Sequence, residues 1–244
     1  MAQHRSAGRL ALAALIAATV LVACDPPATI SSSSSSAAVP PSPTITQTSP
    51  VGDSVPAGDT EAVRQVLNTL PVKGRAPKTG YERSQFGPAW KDVDHNGCDT
   101  RNDILARDLT DKTFRPGTHD CVVASGVLHD PYTGTTIQFT RGQDTSSAVQ
   151  IDHIVALSDA WQKGAQQLSA DLRTQLANDP LNLLAVDGPA NQQKGDGDAA
   201  TWLPPNKAFR CTYVTHQVQV KAKYSLWVTQ AEKAAITNQL GTCS

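Results

Sequence analysis

Ile151-Asp152-His153-Ile154-Val155 sets a carboxylate beside an imidazole inside an apolar stretch that runs from Val149 to Leu157. Further along come Asn178-Asp179-Pro180-Leu181-Asn182-Leu183-Leu184, then Gly188-Pro189-Ala190-Asn191-Gln192-Gln193-Lys194-Gly195-Asp196, and last Trp202-Leu203-Pro204-Pro205-Asn206. Adjacent residues of a strand point to opposite faces, so Asp152 and His153 serve two different sides. Asn191 and Lys194 are three apart and share one face of a helix. Taken singly, each has a structural reading: an Asp-His hydrogen bond, an Asn that fixes a turn, and Lys194 and Asp196 at a solvated helix end. Taken in this order they favour chemistry, with an acid and a base side by side in an apolar setting. Trp202 reads as core packing rather than as a platform for stacking.

Outward from that block, apolar spacing predicts helices over 60–70, 100–109, 158–177 and 214–227. Thr229 and Glu232 fit a capping box, and Gly241 fits a C-cap. Strands are expected over 121–128 and 135–140, joined by the turn-forming His129-Asp130-Pro131-Tyr132-Thr133-Gly134, and a third over 181–186. Residues 190–201 open another helix, and 71–100 are rich in loop-forming Gly and Pro. The mixture is α+β.

The chain has 244 residues, with 21 Lys+Arg against 22 Asp+Glu. This balance excludes binding of nucleic acid by bulk positive charge, though not a local cationic site. Arg5 and Arg9 precede a short apolar run, Leu10 to Val22, which reads as a secretory signal over 1–23. Leu21-Val22-Ala23-Cys24 resembles a bacterial lipobox, so Cys24 is the expected lipidation site and the membrane an expected partner through that lipid. Residues 24–57, with serines at 31–36 and prolines beyond, read as a disordered tether. Two residues of each charge sign lie in this leader, which leaves 19 Lys+Arg and 20 Asp+Glu in a domain over 58–244. Of five cysteines, Cys98, Cys121, Cys211 and Cys243 remain for disulfides after export. Three pairings exist. Moderate loop closure within each half favours Cys98–Cys121 and Cys211–Cys243. A zinc site using His95 with Cys98 and His119 with Cys121 is the competing use, weakened by the lack of tight Cys-x-x-Cys spacing.

The block from Ile151 to Asn206 resembles the HNH endonucleases. It is most similar to their exported branch, in which Asp-His-Ile-Val, Asn-Leu and Asn-x-x-Lys-Gly-Asp precede Trp-Leu-Pro-Pro. The resemblance extends upstream through Asn96-Gly97-Cys98-Asp99-Thr100-Arg101 and downstream to the final Cys. It implies a ββα-metal core over 149–206, with additional helices and a disulfide-stabilised β-hairpin. The helix 158–177 would then be an insertion between the two strands. It implies His153 as general base, Asp152 and Asn191 as metal ligands, and Asn182 as the residue that pins the loop and orients the base. Lys194 would neutralise a phosphate. Asn191 stands where the last His of the family motif would be, and this favours Mg²⁺ or Mn²⁺ over zinc. The implied substrate is nucleic acid, DNA in preference to RNA, and no protein partner is implied.

Two other places carry expectations. Arg101 could contact a phosphate or the transition-state charge, or pair with Asp99 or Asp103. Asp92-Val93-Asp94-His95-Asn96-Gly97 with Asp103 fits calcium-loop spacing, though a polar turn explains it as well. The resulting expectation is an extracytoplasmic, lipid-anchored, metal-dependent nuclease. The alternative is a surface lipoprotein or ligand-binding module without catalysis on the same scaffold.

Overall fold

The computed structural model describes residues 59–243, so the signal, the tether and Cys24 lie outside the described residues. Asp59 caps α1 (Thr60–Thr69) by accepting from the Ala62 amide at 2.9 Å, and Val63 and Leu67 turn inward. After a long loop with a 3-10 turn at Arg83–Phe86 come α2 (Thr100–Asp108), β1 (Leu109–Phe114), β2 (Val123–His129) and β3 (Thr136–Thr140). The three strands form one antiparallel sheet in the order β1-β2-β3. The expected two-stranded hairpin therefore gains an edge strand. Four of the six β1 positions are exposed, Asp111 takes φ 47°, and the pairing shifts register, so no period-2 apolar signal marks it.

β4 (Val149–His153) is followed by α3 (Leu157–Gln162), α4 (Ala170–Asn178), β5 (Leu183–Asp187), α5 (Gly188–Lys194), α6 (Arg210–Lys223) and α7 (Gln230–Leu240). β4 and β5 pair antiparallel, with Asp152 opposite Leu184 and His153 opposite Leu183. The single helix expected over 158–177 is two helices. Gly164, at φ 124°, breaks it where the Trp227 ring would lie 3.2 Å from any Cβ. Ser169 then caps α4 by accepting from the Leu172 amide. The leucine spacing ran through the break because Leu168 packs against the same apolar cluster as Trp161 and Leu176. α5 likewise starts earlier and ends sooner than expected, between the Asp187 cap and Gly195 at φ 55°. α7 carries the capping box of Thr229 and Glu232, while Gly241 closes it in the right-handed region, at φ −67°.

Cys98 is joined to Cys121, which ties the start of α2 to the start of β2, and Cys211 to Cys243, which ties α6 to the chain end. With both pairs oxidised, the zinc reading has no thiolates left. α2 also guards the open edge of β5. Asp108 accepts from the Ala185 amide at 2.8 Å, and Arg107 donates to the Leu183 carbonyl at 2.7 Å. Among the described residues, no helix is long and apolar enough to cross a membrane.

Beneath the helices lies a closed ion cage. Lys163, fully buried, pairs with Asp159 at 2.8 Å, Asp198 at 2.6 Å and Glu232 at 2.7 Å. Lys221 adds pairs to Glu232 and Asp159, and Arg75 adds pairs to Asp159 and Asp198. Three cations thus meet three carboxylates, and only Arg75 reaches water. Burial works against charge on Asp198, but the Lys163 bond and the Lys163 and Arg75 charges outweigh it and hold its pKa below 3.8. That stabilisation is complete above the unfolded pKa and drains as pH falls through the lower folded one. K163M strands three carboxylates on two cations. It is expected to lower unfolding free energy by about 3–5 kcal/mol in urea melts at neutral pH.

Candidate active site

The strand β4 sorts its side chains by alternation. Val149 and Ile151 enter the apolar cluster with Leu183 and Ala185, while Gln150 and Asp152 face α5. Across that interface a strand step of two residues meets a helix step of three. Asn191 donates its amide to Gln150 Oε1 at 2.9 Å, and Lys194 donates to Asp152 Oδ1 at 2.9 Å. Close approach of the helix start requires Gly188, since a Cβ there would strike the Ser147 carbonyl.

Asp152 is held from two directions. The Lys194 ammonium, buried, also lies 2.9 Å from Asp152 Oδ2 and donates to the His153 carbonyl at 2.8 Å. Tyr132 donates its hydroxyl to Asp152 Oδ2 at 2.5 Å. Burial and the Asp152 charge push the Tyr132 pKa well up, so it remains a donor. The Trp202-Leu203-Pro204-Pro205-Asn206 run explains itself here. Trp202 packs on Tyr132 with centroids 5.0 Å apart, and Asn206 donates to the Pro131 carbonyl and, through its backbone, to that of Tyr132. Nothing at sequence level singled out Tyr132; its place in a turn cluster drew attention to the turn only.

His153 faces the other way. Its Nε2 lies 2.9 Å from the Ala177 carbonyl, which can only accept, so Nε2 carries the proton. Nδ1 then keeps its lone pair. The ring stacks near Trp90 at an interplanar angle of 12°. Burial pushes its pKa down to about 4, against the opposing pull of the Ala177 bond and Asp152, so the ring is neutral at neutral pH. Asn182, fully buried, fixes this arrangement. Its Oδ1 accepts from the Val155 amide at 2.8 Å, and its Nδ2 donates to the Val155 and Leu176 carbonyls. One side chain thereby holds both the backbone just after His153 and the end of α4 that receives the imidazole.

His153 and Asp152 line one open cleft of about 300 Å³ with Tyr81, Arg83, Leu157, Ser158 and Asp196. The other expected residues fall elsewhere. Arg101 is outside this lining; its charged neighbours are Arg141 and Asp99, and Asp99 is spent capping Asn102. Lys194 turns inward to Asp152 rather than outward to the cleft. The calcium-loop segment closes on itself, with the Asn96 amide donating to Asp94 and Asp103 and the Gly97 amide to Asp92. Among the described residues no group of three or more His, Cys, Asp or Glu side chains is placed to hold a metal ion.

Residues 99–239 match the family of GmrSD restriction endonucleases, C-terminal domain. The chain belongs to this family. An uncharacterized secreted protein of Arthroderma benhamiae is 37% identical over 196 residues, spanning 80% of this chain and 90% of that one. No solved structure matches the chain. The family segment contains β4, β5, α5 and most of the ion cage. Tyr81 and Arg83 reach the cleft from upstream of it, which is why a motif reading centred on 151–206 missed them.

Long-range ¹⁵N–¹H correlation at neutral pH is expected to show His153 as a neutral ring protonated on Nε2; an imidazolium or an Nδ1–H ring would contradict the geometry. N182A, which leaves the Val155 amide and two carbonyls unpartnered, is expected to cost about 1–3 kcal/mol in chemical denaturation.

Proposed function

We propose that this chain is an HNH-type endonuclease that hydrolyses phosphodiester bonds in nucleic acid, DNA in preference to RNA, with β4, β5 and α5 as its ββα-metal unit. The observation that carries the reading is the neutral His153 ring with Nδ1 unbonded at a cleft it shares with Asp152. Membership of a family named for restriction endonucleases supports it.

The donor set present fits a hard divalent cation. A carboxylate offers about four lone-pair positions, of which Lys194 and Tyr132 engage only part. The Asn191 amide nitrogen is committed to Gln150, so its oxygen is the end left to ligate. Asp152 and Asn191 would hold Mg²⁺ or Mn²⁺, which would supply Lewis-acid stabilisation of the phosphate and its leaving oxygen.

The chain's own residues do the rest. His153 Nδ1 takes the proton from the attacking water, and the Ala177 carbonyl stabilises the imidazolium so formed through Nε2–H. Asn182 keeps the ring at its station. Lys194 and Tyr132 fix the Asp152 carboxylate so that it is oriented before any ligand arrives. We place the protein outside the cytoplasm, in keeping with its leader and with the secreted relative, and held to a membrane through lipid on Cys24.

Nicking of supercoiled plasmid by the purified chain, across a series of divalent metals, tests this. Wild type is expected to nick with Mg²⁺ or Mn²⁺, and H153A to fall by at least about 100-fold with its melting temperature kept. A folded wild-type chain that is stabilised by metal yet cleaves no nucleic acid would make it a binding module instead.

A further inference from the structure

Arg83 is the cation of the cleft that no carboxylate of the described residues pairs. Its neighbours are committed: Lys194 to Asp152, Lys78 to Asp196 at 3.3 Å, and Arg75 to Asp159 and Asp198. Among the described residues its one hydrogen bond runs from Nη1 to the Gly87 carbonyl at 3.2 Å, which leaves Nε and Nη2 for a ligand. Burial lowers its pKa, opposed by Tyr81. Arg83 and His153 line the same cleft.

The segment that carries Arg83 is held firmly. Phe86 is fully buried and meets Tyr81 and Trp161 with centroids 6.3 Å from each. From α4, Arg173 donates to the Gln85 carbonyl at 2.7 Å. A guanidinium so placed presents paired N–H donors that match two oxygens of a phosphate.

We propose that Arg83 forms the phosphate subsite of this cleft, gripping the non-bridging oxygens of the phosphodiester that lies against His153. The proposal rests on the nuclease reading, and it moves to Arg83 the contact expected of Arg101. It also supplies the cation that a near-neutral chain needs in order to hold a polyanion.

The test is binding of a cleavage-resistant phosphorothioate DNA duplex by the full chain, followed by anisotropy between about 50 and 200 mM salt, alongside cleavage of the ordinary duplex. R83Q is expected to reduce the slope of log Kd against log salt by about 0.9, one phosphate contact. It is expected to slow cleavage by about 100-fold or more. R83K should recover the slope and only part of the rate. R83Q with the wild-type slope and rate overturns the proposal. If R83Q loses the slope but wild type cleaves nothing, the subsite stands and the nuclease reading falls. A wild-type chain that does not bind the duplex overturns both. Should the variants misfold, phenylglyoxal mapping of the wild type decides: the duplex should shield Arg83 and not Arg101, and equal Arg83 labelling with and without duplex overturns the proposal.

Discussion

The hydrogen bond from His153 Nε2 to the Ala177 carbonyl is the constraint on which the site depends. It selects the tautomer, and so decides which nitrogen is left to accept a proton. It exists only because α4 ends beside β4, and that meeting is enforced by Asn182, whose amide reaches the Leu176 carbonyl and both polar groups of Val155. The long excursion between β4 and β5 is therefore part of what positions His153. It brings a carbonyl 24 residues downstream of His153 back to within 2.9 Å of the ring.

Asp152 obeys the opposite logic. Where His153 is left neutral with a free lone pair, Asp152 is clasped by an ammonium and a phenol, both buried. The two neighbours differ because a strand throws them to opposite faces. One face meets α5 and its Lys194; the other meets Trp90 and the end of α4. A buried, oriented carboxylate would be costly without such partners. With them its orientation is fixed. The ion cage around Lys163 performs a comparable service at longer range, since Asp198 fastens the chain just beyond α5 to α3, α6 and α7.

Much of this was legible in the sequence, for identifiable reasons. Opposite faces for Asp152 and His153 follow from strand alternation, and the capping box of α7 from Thr229 and Glu232. Asn182 was readable as a pin. What escaped is what depends on distant partners. The break at Gly164 is dictated by Trp227, 63 residues away and invisible to local periodicity. Strand β1 has no apolar alternation because it is a bulged edge. Lys194 looked like a surface cation, since nothing local reveals that Asp152 will bury it. Tyr132 and Arg83 lie outside the motif block and join it only through the tertiary fold. The sequence offered Arg101 for a phosphate contact or for a salt bridge, whereas Arg83 is the arginine that lines the cleft.

The central claim is that His153 acts as the base, through Nδ1. Chemical rescue tests it most directly. With H153A folded as the wild type is, added imidazole should restore plasmid nicking in proportion to the concentration of its neutral form. An H153A variant that nicks as fast as the wild type would contradict the account, and so would a folded, inactive H153A that imidazole leaves unchanged.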